Sequence, residues 1–136
     1  MTVRPMTAAD LHAVEAIQQA CPTAAQWPVR DYLDHHSTVC EDRGAVTGFL
    51  VVRQVAPGEH EILNLAVAPA HQRRGIASLL LARQWSCGPG TWFLEVRESN
   101  TGARNFYKQM GFQETGRRRA YYEQPLEDCI VMGFQS

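Results

Sequence analysis

Three groups of residues in this 136-residue chain have types and spacings that could do chemistry. The first is His71-Gln72-Arg73-Arg74-Gly75, which runs straight into the apolar Ile76-Ala77-Ser78-Leu79-Leu80-Leu81. A helix start carries unpaired N–H groups and about half a positive charge. Gly75 has no Cβ, so a ligand can approach the backbone there, and Arg73 and Arg74 add charge in front of it. Together these suit a phosphate or pyrophosphate. A charged turn that feeds an amphipathic helix and binds nothing is the plainer alternative. The second is Glu95, which interrupts the apolar run Trp92-Phe93-Leu94-Glu95-Val96. A carboxylate there is costly without a partner or a task. An ion pair with Arg97, on the same face, competes with proton transfer. The third is Tyr107, whose ring belongs to an apolar stripe but whose hydroxyl can still be presented to a reacting group.

Periodicity predicts the elements that position these groups. A short strand spans Val3–Met6. Thr7, with Asp10 three residues on, resembles a capping box. Leu11, Val14 and Ile17 then recur at helical spacing until Pro22 ends the run. Trp27-Pro28 opens a second short helix towards His35. Ser37–Glu41 and Ala45–Val55 read as strands around the turn Asp42-Arg43-Gly44. Glu61–Val67 is a strand stopped by Pro69. A helix runs from Arg73 to about Trp85 and ends at Gly88-Pro89-Gly90. Thr91–Arg97 is a strand with Trp92, Leu94 and Val96 on one face and Phe93, Glu95 and Arg97 on the other. Asn100 caps a helix in which Ala103, Phe106, Tyr107 and Met110 form one stripe, and Gly111 follows as its C′ residue. Two late strands, Phe112–Tyr122 and Leu126–Phe134, complete an α/β (α+β) pattern of a mixed sheet with helices packed on it.

The composition narrows the function. The length fits one domain over residues 1–136. A formal net charge of −1 leaves no basic field for nucleic acid, so no direct nucleic-acid binding is expected. The start MTVRPMTAADLH lacks the apolar core of a signal peptide. No apolar run approaches the roughly 18 residues of a membrane span. Cys21, Cys40, Cys87 and Cys129 form no CxxC pair and read as free thiols in a reducing cytoplasm. The histidines show no metal-ligand spacing, so no metal is expected.

Gln72-Arg73-Arg74-Gly75-Ile76-Ala77 resembles the Gln/Arg-x-x-Gly-x-Gly/Ala signature of the GNAT family of N-acetyltransferases, with Ala77 in place of the commoner second glycine. It follows the strand end Asn64-Leu65-Ala66-Val67-Ala68-Pro69, as that family's signature does. Leu94–Asn100, Asn105–Phe112, Arg118–Tyr122, Glu127–Met132 and Trp27-Pro28 further resemble the RimI-like branch. Those enzymes acetylate the N-terminal alanine of a small-subunit ribosomal protein. The segment between the signature helix and the Glu95 strand looks shorter than in that branch.

The resemblance implies a GNAT fold, with a mixed central sheet of about seven strands flanked by about four helices. It implies acetyl-CoA as co-substrate, held by Leu65, Ala66, Val67, Gln72, Arg73, Arg74, Gly75, Ile76, Ala77, Ser78 and Asn100. The family's matching glutamate, Glu95, is the general base, and its matching tyrosine, Tyr107, the general acid. An oxyanion donor is expected among the backbone N–H groups of Leu65-Ala66-Val67, with Val67 the first choice. An α-amino group, with a pKa of about 7.7–8.0, is neutral far more often at pH 7 than a lysine near 10.4. A protein N-terminus therefore asks little of its base.

Trp27, Tyr121 and Tyr122 are candidates for the walls of the substrate channel, or are simply surface aromatics. Glu127 and Asp128 could meet a positive substrate, and Arg117-Arg118-Arg119 reads as a solvated strand face. The leading expectation is acetylation of a protein N-terminus, with alanine on a ribosomal protein as the first candidate, in the cytoplasm. A small-molecule amine acetyltransferase and a non-catalytic acyl-CoA-binding module are the alternatives. The presence of both Glu95 and Tyr107 speaks against the last.

Overall fold

Alternating branched and aromatic residues form the strands, and the computed structural model describes residues 1–86, 89–123 and 126–135. Among the described residues there are seven strands: β1 (Thr2–Pro5), β2 (His36–Asp42), β3 (Ala45–Ala56), β4 (Glu59–Val67), β5 (Thr91–Arg97), β6 (Gln113–Tyr122) and β7 (Glu127–Gln135). The α-helices are α1 (Leu11–Ala20), α2 (Ile76–Trp85) and α3 (Thr101–Gln109), and a two-turn 3₁₀ helix spans Val29–Asp34. The strands make one mixed sheet in the order β1-β2-β3-β4-β5-β7-β6. All neighbours are antiparallel except β4 and β5. This is the expected fold, with β5 and the Asn100-capped α3 at their expected bounds.

Two apolar layers hold the sheet. On one face Ile76, Leu80 and Leu81 of α2 and Tyr107 of α3 pack on Leu50, Ile62, Trp92, Leu94 and Val96. On the other, Val14 and Ile17 of α1 and Tyr32 of the 3₁₀ helix pack on Val39, Phe49, Val51 and Ala66. The parallel pairing of β4 with β5 covers only Glu59–Ile62 against Thr91–Leu94. Beyond Ile62 and Leu94 the two strands part, and the sheet opens between Leu63–Val67 and Glu95–Arg97.

Most strand ends move by one or two residues, and two boundaries bear on the site or the start of the chain. β1 lies one residue earlier than Val3–Met6, with Pro5 as its last residue. The helix expected from Arg73 starts at Ile76. Arg73 has φ 66° and Gly75 φ 80°, values that no right-handed helix accepts, so Gln72–Gly75 is a loop before the helix. Cys87 and Gly88 lie outside the described residues; Cys21, Cys40 and Cys129 are free and buried.

The start of the chain is pinned electrostatically. Arg4 donates to both oxygens of Asp10 at 2.8 and 2.9 Å, and the Thr7 N–H donates to the same carboxylate at 2.8 Å. Asp10 is 5% exposed. The Arg4 hydrogen bonds are the main cause that holds its pKa down to about 2, with burial opposing them. A depressed carboxylate adds stability above its unfolded pKa and loses it as pH falls through the folded value. Asp10→Asn is expected to lose roughly 2 kcal/mol at pH 7. Its urea midpoint should also lack the fall that the native chain shows between about pH 4 and pH 2.

Candidate active site

A cleft of about 650 Å³ lies in the gap where β4 and β5 part, reached by residues of both apolar layers. Its floor is Leu65, Ala66 and Val67 of β4; its far end is Gln72, Arg73 and Gly75 with the first turn of α2, Ile76, Ala77 and Ser78. α3 supplies the other wall with Asn100, Gly102, Ala103, Phe106, Tyr107 and Gln109. Every residue expected at the co-substrate is here except Arg74. That guanidinium is drawn to Asp42 at 2.8 Å and to His71 Nδ1 at 2.8 Å. Cys21, Thr23 and Ala24, from the loop after α1, also line the cleft. No local pattern in the sequence marked them.

The backbone at the far end is built for an anion. Gly75 caps α2 in the left-handed region, where only glycine sits without strain. The first intrahelical bond goes from the Leu79 N–H to the Gly75 carbonyl at 3.0 Å. The N–H groups of Ile76, Ala77 and Ser78 therefore have no intrahelical acceptor. They head a helix whose dipole adds positive potential. Asn100 accepts from the Ala103 N–H at 3.2 Å, so it caps α3 and lines the cleft at once.

Strand geometry also exposes donors along β4. The Ala68 N–H pairs back to Thr47 in β3 at 2.8 Å. The Leu65 N–H instead goes to the side chain of Asn64 at 3.0 Å. Alternation then turns the N–H groups of Leu65 and Val67 to the side where β5 has left. The Val67 carbonyl on that side accepts from Gln72 at 3.1 Å and from the Cys21 thiol at 3.3 Å.

Tyr107 is 7% exposed. Its ring stands edge-on to Phe106 and Phe112, with centroids 5.2 and 5.3 Å away. It packs as core and lines the cleft, as the α3 stripe allowed. Burial pushes its hydroxyl well above the ordinary phenol range, so it stays protonated through neutral and mildly alkaline pH.

Glu95 does not line the cleft. Trp92, Leu94 and Val96 face α2 and α3, so Glu95 projects from the opposite face of β5. The competing ion pair is made with Arg118 of β6, at 3.0 Å, rather than with Arg97. Arg97 instead meets Glu127 at 3.3 Å and lies 4.3 Å over the Tyr122 ring. The charge of Glu95 also raises the pKa of the Tyr121 phenol. In an unbroken strand, Arg118 and Tyr121 would face opposite ways. Ala120, at φ 50°, and a register break between Arg118 and Tyr122 bring both to Glu95.

Of the other residues expected at the substrate, Tyr121 and Trp27 are about half exposed, while Tyr122 is partly covered beside Arg97. None of the three borders the α2/α3 cleft. Glu127 and Asp128 are engaged within the chain, by the Ser99 N–H and Arg97 and by Arg117 and the Ala120 N–H. Arg117 also pairs with Glu98, so the Arg117–Arg119 face is partly neutralised. No three metal-binding side chains stand together among the described residues.

Comparison with known proteins agrees with this geometry. The model of the acetyltransferase (GNAT) family matches residues 8–112. The ribosomal protein bS18-alanine N-acetyltransferase of Salmonella typhimurium is 32% identical, over 96% of this chain and 95% of its own length. The crystal structure of the ribosomal-protein-S18-alanine N-acetyltransferase from Escherichia coli superposes with a TM-score of 0.84 at 29% identity. That match covers 98% of this chain and 92% of the other. Ard1 from Thermoplasma volcanium superposes at 0.88 and 28% identity, covering 98% and 96%. No described helix is long and apolar enough to cross a membrane. The chain belongs to the GNAT family and is an acetyl-CoA-dependent N-acetyltransferase.

Proposed function

We propose that this enzyme acetylates the α-amino group of a protein N-terminus, with the N-terminal alanine of a small-subunit ribosomal protein as its first substrate and the cytoplasm as its place of action. The observation that carries this reading is the parting of β4 from β5. It opens a cleft fit for acetyl-CoA between the strands and leaves an aromatic-flanked carboxylate on β5 outside that cleft. The near full-length likeness to the Salmonella enzyme supports the substrate.

Acetyl-CoA, when bound, supplies an activated acetyl group as a thioester. The N–H groups of Ile76, Ala77 and Ser78, with Arg73, hold its pyrophosphate. Leu65, Ala66 and Val67 would hold its arm, and the strand N–H of Val67, the one not taken by Asn64, would stabilise the oxyanion. Glu95 takes the proton of the incoming amine, directly or through water. Tyr107 offers its hydroxyl to the departing sulfur. Trp27, Tyr121 and Tyr122 flank the arriving chain end. No residue of this scheme requires a metal.

The cofactor side has its own test. Gly75→Ala forces a Cβ into left-handed backbone, at a cost of about 1 kcal/mol. Acetyl-CoA KM should rise about fivefold if that strain falls on the bound loop. Arg74→Gln should stay within about twofold, because Arg74 is spent on Asp42. A larger effect at Arg74 than at Gly75 would reverse this assignment.

The decisive assay mixes the enzyme, acetyl-CoA and a short peptide with N-terminal alanine, and reads the mass of the product. One added acetyl group, absent on a peptide with a blocked N-terminus, is expected. An unmodified peptide together with an acetylated free amine would move the substrate to small molecules.

A further inference from the structure

Behind the loop that joins α1 to the 3₁₀ helix lies a buried polar cluster that takes no part in the chemistry above. Gln18 and Asn64 are each 5% exposed, and Tyr32 is 2% exposed. Asn64 Nδ2 reaches the Ala25 carbonyl at 2.9 Å, Gln18 Oε1 at 3.1 Å and the Tyr32 hydroxyl at 3.1 Å. Gln18 Oε1 also accepts from the Tyr32 hydroxyl, and Gln18 Nε2 donates to the Trp27 carbonyl at 2.8 Å. Two buried amides thus hold two carbonyls of one loop. A third tie comes from the Cys21 thiol to Val67.

Burying three polar side chains is costly unless every group is satisfied. Apolar residues of similar shape at all three positions would fill the same space without that demand. What the cluster adds is position. Asn64 precedes Leu65, at the point where β4 leaves β5, and its Oδ1 holds the Leu65 N–H. The loop that it grips contributes Thr23 and Ala24 to the cofactor cleft and carries Trp27, whose side chain stays half exposed. The geometry points to Gln18 and Asn64 as positioning residues that fix the Thr23–Trp27 loop as the wall of the acceptor-amine entrance, in register with the opening of β4. This rests on the reading that the acceptor enters beside Trp27.

The pair acts through the loop, so its loss should fall on the acceptor. Gln18→Met keeps the length of the side chain and removes the Trp27 anchor. Tyr32→Phe keeps both carbonyl anchors and removes only the hydroxyl. In Gln18→Met the KM for the alanine peptide should rise about five- to tenfold. The KM for acetyl-CoA should stay within about twofold, because the Cys21 tie remains. Amide hydrogen exchange across residues 22–28 should quicken in Gln18→Met and not in Tyr32→Phe. A lowered melting temperature in Gln18→Met with both KM values and the loop exchange unchanged would overturn the proposal and leave the cluster a plain core feature. Equal rises in both KM values, or a fall in kcat alone, would overturn it too. If the native enzyme leaves the peptide untouched, the substrate reading fails by itself. The loop exchange, and the KM for whichever amine is acetylated, then decide the anchoring role.

Discussion

Glu95→Gln is expected to lower kcat by about two to three orders of magnitude while acetyl-CoA binds as before. The two effects separate because Glu95 is not among the residues that line the cofactor cleft. The substitution keeps the shape of the side chain and removes its ability to take a proton. It also gives up the ion pair to Arg118, whose head is half exposed. Such a pair contributes at most about 1 kcal/mol, so the fold should survive. The loss should be steepest below pH 7, where an α-amine with a pKa of about 7.7–8.0 is mostly protonated. It should shrink above pH 9, where the amine arrives neutral. Steady-state rates across this range, alongside an acetyl-CoA titration, make the test. Rates equal to the native enzyme at every pH would remove Glu95 as the base.

Tyr107→Phe is expected to lower kcat by about ten- to a hundredfold. The ring contacts with Phe106 and Phe112 are kept, and only the hydroxyl is lost. Because burial holds that hydroxyl protonated, full transfer to a thiolate, whose pKa is near 8.5, is uphill. The phenol is therefore expected to act by donating a hydrogen bond as charge gathers on sulfur. The alkaline side of the native pH profile should therefore show no loss from Tyr107 ionisation near pH 10. Thermal melting should place the variant close to the native protein. Marked unfolding would make packing the main role of Tyr107, and an unchanged kcat would end its part in the chemistry.

Residues that act on near neighbours in the chain were open to reading. The period-2 pattern of Thr91–Arg97 placed Glu95 away from Trp92, Leu94 and Val96, and the structure agrees. Asn100 three residues before Ala103, and Gly111 after the α3 stripe, mark both ends of that helix. The signature around Gly75 lines one end of the cleft. Each of these depends on local dihedrals or on the spacing of side chains along one element. The start of α2 lies three residues later than the sequence pattern predicts, because positive φ at Arg73 carries no mark in an arginine.

The sequence by itself determined the family, the element order and the residues offered for acid, base and anion binding, because these follow from periodicity, capping and a contiguous motif. The tertiary structure alone decided how those residues are used. It gave Glu95 to Arg118 and Tyr121 through a bulge at Ala120. It took Arg74 to Asp42. It brought Cys21, Thr23 and Ala24 into the cleft, and joined Asn64 to Gln18, 46 residues earlier. Such contacts depend on how strands pair and where they separate. Pairing register is a property of the whole sheet, and no stretch of chain carries it alone.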